Sequence, residues 1–203
     1  MAEALLVIDV QNDFCPGGAL AVPDGHRIVP LVNRLLEQAE IRVLTADWHP
    51  HDHHSFASQH QGRAPLEQGL VGGIRQTLWP EHCVRGSHGA AFHGDLDTDQ
   101  ADFILRKGVR RELDSFSAFY ENDRRTSTGL EGYLRSRQVE AVAIVGLALD
   151  YCVAWSAQDA ARLGYRTRVI LPGCRAIDHG GSLQRALEAM RQAGVELSTE
   201  AAT

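Results

Sequence analysis

Three side chains suited to thiol chemistry stand at the predicted carboxyl ends of three strands, although they lie far apart along the chain. Asp9 ends the first strand, Lys107 ends the third, and the fourth leads through a short turn to Cys152. Ligands of parallel α/β sheets bind beyond these strand ends, so we expect the three groups in one cavity. There Asp9 would act as general base on the Cys152 thiol, and Lys107 would hold Asp9 ionised.

Cys152 is predicted to lie in the first turn of a helix, directly after a sharp turn from the fourth strand. Free backbone N–H groups and the helix dipole stabilise negative charge there, which predicts a lowered thiol pKa. The alternatives are a buried structural cysteine, a solvated Lys107, and an Asp9 that only caps the turn after its strand. We assign no role to the remaining cysteines, Cys15, Cys83 and Cys174.

A second group of residues has the types and spacing of metal ligands. Asp47 and His49 follow the second strand two residues apart, so their side chains point to the same side. With His82 from the following segment they give one carboxylate and two imidazoles, a set suited to zinc first and also to iron or manganese. His53 is a candidate fourth ligand or a partner of a ligand. The other histidines of this segment are expected to be solvated.

The long segment 48–100 that supplies His82 shows no sustained periodicity. Loops of this length inside a compact domain are usually functional. A histidine-rich, partly disordered insertion is the alternative interpretation.

Short β-branched runs alternate with amphipathic helical patterns, which is typical of a parallel sheet covered by helices on both faces. The predicted strands are residues 4–8, 41–46, 102–106, 141–145, 167–171 and 195–197. The predicted helices are 28–39, 128–137 with Thr128 and Glu131 as a capping box, 150–163, and one capped by Ser182 that ends at Gly194. We therefore expect an α/β fold with one domain spanning residues 1–203.

Composition argues against several classes of protein. The 203 residues are 44% apolar and 23% charged, which are ordinary globular values. A net charge of −6 argues against nucleic-acid binding, and no apolar run reaches the roughly 20 residues that a membrane span needs. Four scattered cysteines and the lack of a basic, apolar leader predict a reduced, cytoplasmic protein. Its oligomeric state stays open between a monomer and a small homo-oligomer.

Motifs around these residues follow one another through nearly the whole chain: 7–14 with 16–20, 47–50 with His53, Ser55 and Phe56, 79–83, 107–108, 114–119 and 146–153. In this order they resemble the nicotinamidases of the isochorismatase-like cysteine hydrolase superfamily. The aspartate, lysine and cysteine alone indicate the superfamily. The Asp-Trp-His and Trp-Pro-x-His-Cys motifs narrow the resemblance to nicotinamidases.

The resemblance implies a reaction and a fold. The reaction is hydrolysis of nicotinamide to nicotinate and ammonia in pyridine-nucleotide salvage, with pyrazinamide commonly accepted as well. The fold is a three-layer α/β/α arrangement, in which a six-stranded, mainly parallel, doubly wound sheet has the strand order 3-2-1-4-5-6.

The resemblance also assigns roles to single residues. Cys152 would be the nucleophile, Asp9 the proton shuttle and Lys107 their electrostatic partner. A cis peptide before Ala148 is implied, together with an oxyanion hole made by the backbone N–H groups of Ala148 and Cys152. The divalent metal would hold the pyridine nitrogen and be bound by Asp47, His49 and His82. The ring pocket would be lined by Phe14, Trp79, Phe116, Leu147 and Tyr151.

Three positions depart from the family pattern. Phe116 stands where many members have tyrosine, Ala118 where glycine is common, and Leu149 where threonine is common. The first two would change the pocket shape and the range of amides accepted.

Other functions remain as alternatives. The nearest is another amidase of the superfamily that acts on an N-carbamoyl or ureido substrate and has no need of a metal. An isochorismatase has no use for these metal ligands, and a non-catalytic binder of pyridine carboxamides need not keep Asp9, Lys107 and Cys152.

Overall fold

Six parallel strands form the central sheet of the protein in a computed structural model, which describes residues 2–200. Together with two strands outside this sheet, the strands in chain order are β1 Ala2–Ile8, β2 Ile41–Asp47, β3 Gln68–Val71, β4 Ile74–Thr77, β5 Phe103–Lys107, β6 Val139–Leu147, β7 Arg166–Arg175 and β8 Glu196–Ser198. The central sheet has the order β5-β2-β1-β6-β7-β8, and the remaining two strands, β3 and β4, form a separate two-stranded sheet. Counting the six sheet strands alone, this is the predicted order 3-2-1-4-5-6.

Four α-helices flank the sheet and complete the predicted α/β/α arrangement. They are α1 Val29–Gln38, α2 Leu130–Ser136, α3 Ala154–Arg162 and α4 Ser182–Gln192. Helix α1 lies against β1 and β7, α2 against β6, and α3 against β7. Helix α1 packs on the sheet through one apolar stripe, whose buried residues are Val29, Val32, Leu35 and Leu36. Among the described residues, no helix combines the length and apolarity that a membrane crossing requires.

The strand order reverses beside β1, which lies between β2 and β6. Ligands of doubly wound sheets bind at this reversal, beyond the carboxyl ends of the strands. At that end Ile8 pairs with Gly146. Gly146 has φ +125°, and a Cβ there would lie 2.1 Å from the Ile8 carbonyl oxygen. Only glycine fits this approach, which brings the residues after β6 next to Asp9.

Both predicted helix caps differ from the structure. Gly129 occupies the N-cap of α2, and the Glu131 carboxylate binds Arg135 instead of closing a capping box. Gly181 occupies the N-cap of α4, and the Ser182 hydroxyl donates to the carboxylate of Asp150. Before α2 the Thr128 hydroxyl donates to the Ala118 carbonyl instead, and in α4 the Ser182 hydroxyl has a charged acceptor, which is a stronger interaction than a neutral hydrogen bond to the backbone.

The segment 48–100 contains an antiparallel hairpin, formed by β3 and β4, that the sequence analysis missed. Val71 and Leu78 pack with Ala57 in a small buried cluster beneath it. Each strand has four residues and β3 includes a glycine, so neither is long enough to show periodicity. The segment therefore contains a paired hairpin with a buried apolar cluster, and it is not the partly disordered insertion of the alternative interpretation.

Candidate active site

Strands β1, β2 and β5 deliver Asp9, Asp47 and Lys107 to one point. Asp47 and Lys107 are direct partners across the β2–β5 pair, and Asp9 follows β1 on the other side of β2. The Lys107 side chain is fully buried, and its Nζ lies 2.9 Å from Asp9 Oδ2 and 2.5 Å from Asp47 Oδ1. The same ammonium donates to the carbonyl of Ser115 and lies 3.5 Å from Cys152 Sγ. Asp9, Lys107 and Cys152 therefore form one group around the thiol, the thiol cluster.

Asp9 is completely buried, and its two carboxylate oxygens have different surroundings. Oδ1 accepts a hydrogen bond of 2.6 Å from the Thr45 hydroxyl. Oδ2 faces the Lys107 ammonium, but accepts no hydrogen bond of good geometry within residues 2–200. Burial, together with the charge of Asp47, raises the pKa of Asp9 against the opposing effect of Lys107. Lys107 thus acts in the predicted direction, because it favours the ionised carboxylate, but burial and Asp47 outweigh it and leave Asp9 with a raised proton affinity.

Cys152 lies in a π-helical turn, Leu149–Val153, that precedes α3. The prediction of a lowered thiol pKa is wrong. Burial raises the pKa of Cys152 well above its ordinary value, Lys107 opposes the rise, and Asp9 and Asp47 add to it. Cys152 does lie in the first helical turn, as predicted, but burial, to which the two carboxylates add, outweighs the effect of the helix terminus. The thiol is therefore protonated at rest and needs a base.

Asp47, His49 and His82 form a buried cluster whose ligand atoms all lie within 4.8 Å of one another. The Nδ1 atoms of His49 and His82 lie 2.9 Å and 2.8 Å from the backbone carbonyls of Gly108 and Pro80. An Nδ1–H donated to a carbonyl leaves the Nε2 lone pair available, which is how metal-binding histidines are commonly held. The donor set and its outer hydrogen bonds thus fit a divalent metal ion.

The pKa values of Asp47, His49 and His82 are shifted in different directions. Although burial opposes ionisation, Lys107 and His49 hold the pKa of Asp47 far below its ordinary value. Burial and the neighbouring His49 lower the pKa of His82 to about 4, so this imidazole is neutral at pH 7. Asp47 raises the pKa of His49 in spite of burial. A carboxylate and a neutral imidazole are the forms that bind metals.

His53 lies beside this cluster and contacts the ring of His49, with 4.3 Å between ring centroids. Its Nδ1 lies 2.6 Å from the Ser55 hydroxyl. It groups with His49 and Asp114, and not with the Asp47 and His82 ligand atoms. The structure therefore places His53 where it supports the His49 ring.

A small cavity opens above Cys152, and most of the predicted pocket residues line it. Phe14, Trp79, Phe116 and Tyr151 do so, together with Ala148, which follows a cis peptide bond. The rings of Trp79 and Tyr151 meet edge to face, with 4.9 Å between centroids. These surfaces make an aromatic slot over the thiol.

The lining of the cavity also differs from the predicted set of pocket residues. Leu147 does not line it and is fully buried, and its side chain would meet a Cβ placed on Gly25. Leu20, Asp114 and Ile177 line the cavity and were missed. Leu20 and Asp114 lie inside recognised motifs, which was the available signal, whereas nothing near Ile177 pointed to the site.

The doubly wound fold and the buried cluster of Asp9, Lys107 and Cys152 at its strand ends define the class of the protein, a doubly wound α/β protein with a cysteine-centred candidate active site. The isochorismatase domain matches residues 3–202, and the chain belongs to the isochorismatase family.

Relatives within this family are similar over nearly their whole length. A nicotinamidase from Acinetobacter baylyi is 50% identical over 95% of this chain and 90% of its own. A solved Acinetobacter baumanii nicotinamidase and pyrazinamidase has a TM-score of 0.94 at 49% identity, covering 96% of this chain and 94% of that one. The pyrazinamidase of Pyrococcus horikoshii, solved in complex with zinc, has a TM-score of 0.79 at 34% identity, covering 98% and 100%.

Proposed function

We propose that this chain hydrolyses nicotinamide to nicotinate and ammonia in pyridine-nucleotide salvage, and that it also accepts pyrazinamide. One observation carries the proposal: the Cys152 thiol, 3.5 Å from the Lys107 ammonium, opens into an aromatic slot that also borders on Asp47 and His82. A flat heteroaromatic amide suits such a slot. The nicotinamidase and pyrazinamidase relatives, at 50% and 49% identity, support the same substrate class.

Asp9 is the proton carrier in this mechanism. Its raised pKa and its Oδ2, free of other hydrogen bonds within residues 2–200, suit a group that takes and returns a proton. Asp9 removes the thiol proton, and the Cys152 sulfur attacks the carboxamide carbon. The backbone N–H groups of Ala148 and Cys152 stabilise the oxyanion, and each such donor is worth about 10²–10³ in rate.

Collapse of the tetrahedral intermediate breaks the C–N bond. Protonated Asp9 gives its proton to the nitrogen, ammonia leaves, and a thioester to Cys152 remains. Asp9 then deprotonates a water molecule that attacks the thioester, which releases nicotinate and restores the thiol. Lys107 stays charged throughout, because Asp47 and Asp9 hold its pKa well above the ordinary value despite burial. Its ammonium offsets the negative charge that develops on the Cys152 sulfur when the thiol loses its proton.

Asp47, His49 and His82 would hold one divalent ion, and we propose zinc, with iron or manganese as the other candidates. Bound there, the ion would act as a Lewis acid toward the pyridine nitrogen and so orient the ring. Phe14, Trp79 and Tyr151 enclose the ring and exclude water from the thiol. Positioning of this kind is a large part of catalysis when two groups must meet in one geometry.

Ammonia release from nicotinamide tests the proposal directly. We expect turnover of nicotinamide and pyrazinamide by the metal-loaded protein, and none of an N-carbamoyl amino acid or a ureido compound. Release of ammonia from the carbamoyl substrate alone, undiminished by chelation, would assign the protein to the alternative amidase class. Absence of turnover with every amide would favour a non-catalytic binder.

The wider setting of the enzyme is also part of the proposal. All four cysteines are buried free thiols, which suits a reducing compartment, and we propose the cytoplasm. We further propose that residues 1–203 act as one domain, as a monomer or a small homo-oligomer.

A further inference from the structure

Gln76 is a buried polar side chain on a hairpin that is otherwise mostly exposed. It lies on β4, is 7% exposed, and follows the exposed Arg75. Its Nε2 donates a hydrogen bond of 2.6 Å to Asp114 Oδ2. Its Oε1 accepts one of 2.9 Å from Asn122 Nδ2. The amide thus uses its donor and its acceptor at once, on two residues 38 and 46 positions further along the chain.

Both partners of Gln76 hold the wall of the cavity. The Asn122 Oδ1 accepts from the backbone N–H of Phe116 at 2.9 Å, and the Asn122 N–H donates to the Asp114 carbonyl at 2.7 Å. Asp114 itself lines the cavity, as Phe116 does. The intervening carbonyl of Ser115 accepts from Lys107 at 2.9 Å. Residues 114–116 therefore lie between the catalytic ammonium on one side and the hairpin on the other.

We propose that Gln76 is a positioning residue for the ring pocket. Through Asp114 and Asn122 it holds the wall that carries Phe116, and so sets how tightly the amide substrate is bound. The proposal rests on the function assigned above, because it concerns the same pocket. A buried carboxylate deprived of its donor must find another partner, which moves the backbone that bears it. Within residues 2–200 the Gln76 amide is hydrogen-bonded to Asp114 and Asn122, and to none of the residues assigned to the thiol chemistry or to the metal, so its effect falls on binding.

Substitution of Gln76 by methionine removes both hydrogen bonds and keeps a side chain of similar length. For Gln76→Met we expect KM for nicotinamide to rise about 10-fold, as loss of one hydrogen bond to a charged group implies, and kcat to change less than about twofold. Gln68→Met is the matched control, because Gln68 is exposed on the same hairpin and donates to the Thr77 hydroxyl there. An unchanged KM in Gln76→Met, with loss only of kcat or of thermal stability, would reduce Gln76 to a structural role and overturn the proposal.

A charge exchange tests whether the effect passes through Asp114. Gln76→Glu places two carboxylates against each other, and we expect its KM to rise further than that of Gln76→Met. The double variant Gln76→Glu/Asp114→Asn restores one donor and one acceptor, and its KM should fall below that of Gln76→Glu. If the double variant binds nicotinamide no better than the single one, the proposal is wrong.

Alkylation of Cys152 supplies a measurement that needs no turnover. A displaced wall exposes the thiol, so iodoacetamide should modify Cys152 several-fold faster in Gln76→Met than in the unsubstituted protein or in Gln68→Met, measured by peptide mass spectrometry. Equal alkylation rates would count against the positioning role, whatever the substrate. Faster alkylation in a protein that fails to hydrolyse nicotinamide would leave the role of Gln76 standing and refute the proposed function instead.

Discussion

Asp47 contacts Lys107 through one carboxylate oxygen and faces a metal-ligand histidine with the other. Its Oδ1 lies 2.5 Å from Lys107 Nζ, and its Oδ2 lies 3.7 Å from His49 Nε2. One carboxylate therefore belongs to both the thiol cluster and the metal-ligand cluster. Because Asp47 and Lys107 are strand partners, the two clusters are held in a fixed relation by the sheet itself.

The covalent route predicts that Cys152→Ala loses activity by a factor on the order of 10⁴ or more, since loss of a nucleophile is among the costliest single changes in an enzyme. Rapid quenching of the unsubstituted enzyme with nicotinamide should reveal a nicotinoyl thioester on the Cys152 peptide by mass spectrometry. Cys174→Ala is the control, because Cys174 is buried away from the cavity and bonds the Ile170 carbonyl. Turnover by Cys152→Ala at the normal rate would rule out the thioester.

The metal cluster predicts a separation of binding from chemistry. His49→Ala removes a buried ligand, so we expect loss of bound metal, measured by elemental mass spectrometry, and a rise mainly in KM for nicotinamide. His51→Ala should keep about one equivalent of metal, because His51 is exposed in the same segment. Full metal content in His49→Ala would contradict the assigned ligand set.

Gly108 has φ +63°, and a Cβ there would lie 2.4 Å from Cε1 of His49. Gly108→Ala therefore forces the imidazole off the Gly108 carbonyl, and we expect metal affinity to fall about 10–100-fold, as for other losses of outer hydrogen bonds at metal sites. Isothermal titration with zinc measures the change. Gly132→Ala is the matched control, since a Cβ at Gly132 in α2 meets nothing within 4 Å. Equal affinity in the two variants would mean that the His49 ring is not held in this way.

Lys107 is the only lysine of the chain, so its titration can be followed without overlap. Although burial favours the neutral amine, Asp47 and Asp9 raise the pKa of Lys107 well above its ordinary value of 10.5. Since the folded state has the higher pKa, the stability that the ammonium contributes is complete below 10.5 and is lost as pH rises through the folded-state value. We expect the ¹³Cε shift of labelled Lys107 to stay constant up to pH 10.5. A titration midpoint below that pH would show that the two carboxylates do not hold the proton.

Much of this molecule could be predicted because strands and their ends are local features. The buried runs that became β1, β2, β5 and β6 are apolar without alternation, and their carboxyl ends must lie at one edge of a parallel sheet. That argument brought Asp9, Lys107 and Cys152 together in the prediction, and it placed Asp47 at the same edge as a metal ligand. The hairpin of β3 and β4 was missed because strands of four residues show no period, and with it Gln76 was missed.

The amino-acid sequence by itself determined which groups could do chemistry and at which edge of the sheet they would stand. Only the tertiary structure decided the protonation of those groups. A helix start next to Cys152 predicted an acidic thiol, yet burial beside Asp9 and Asp47 raises its pKa. Charge interactions depend on distance and on exclusion of water, and neither quantity exists until residues more than a hundred positions apart have packed together.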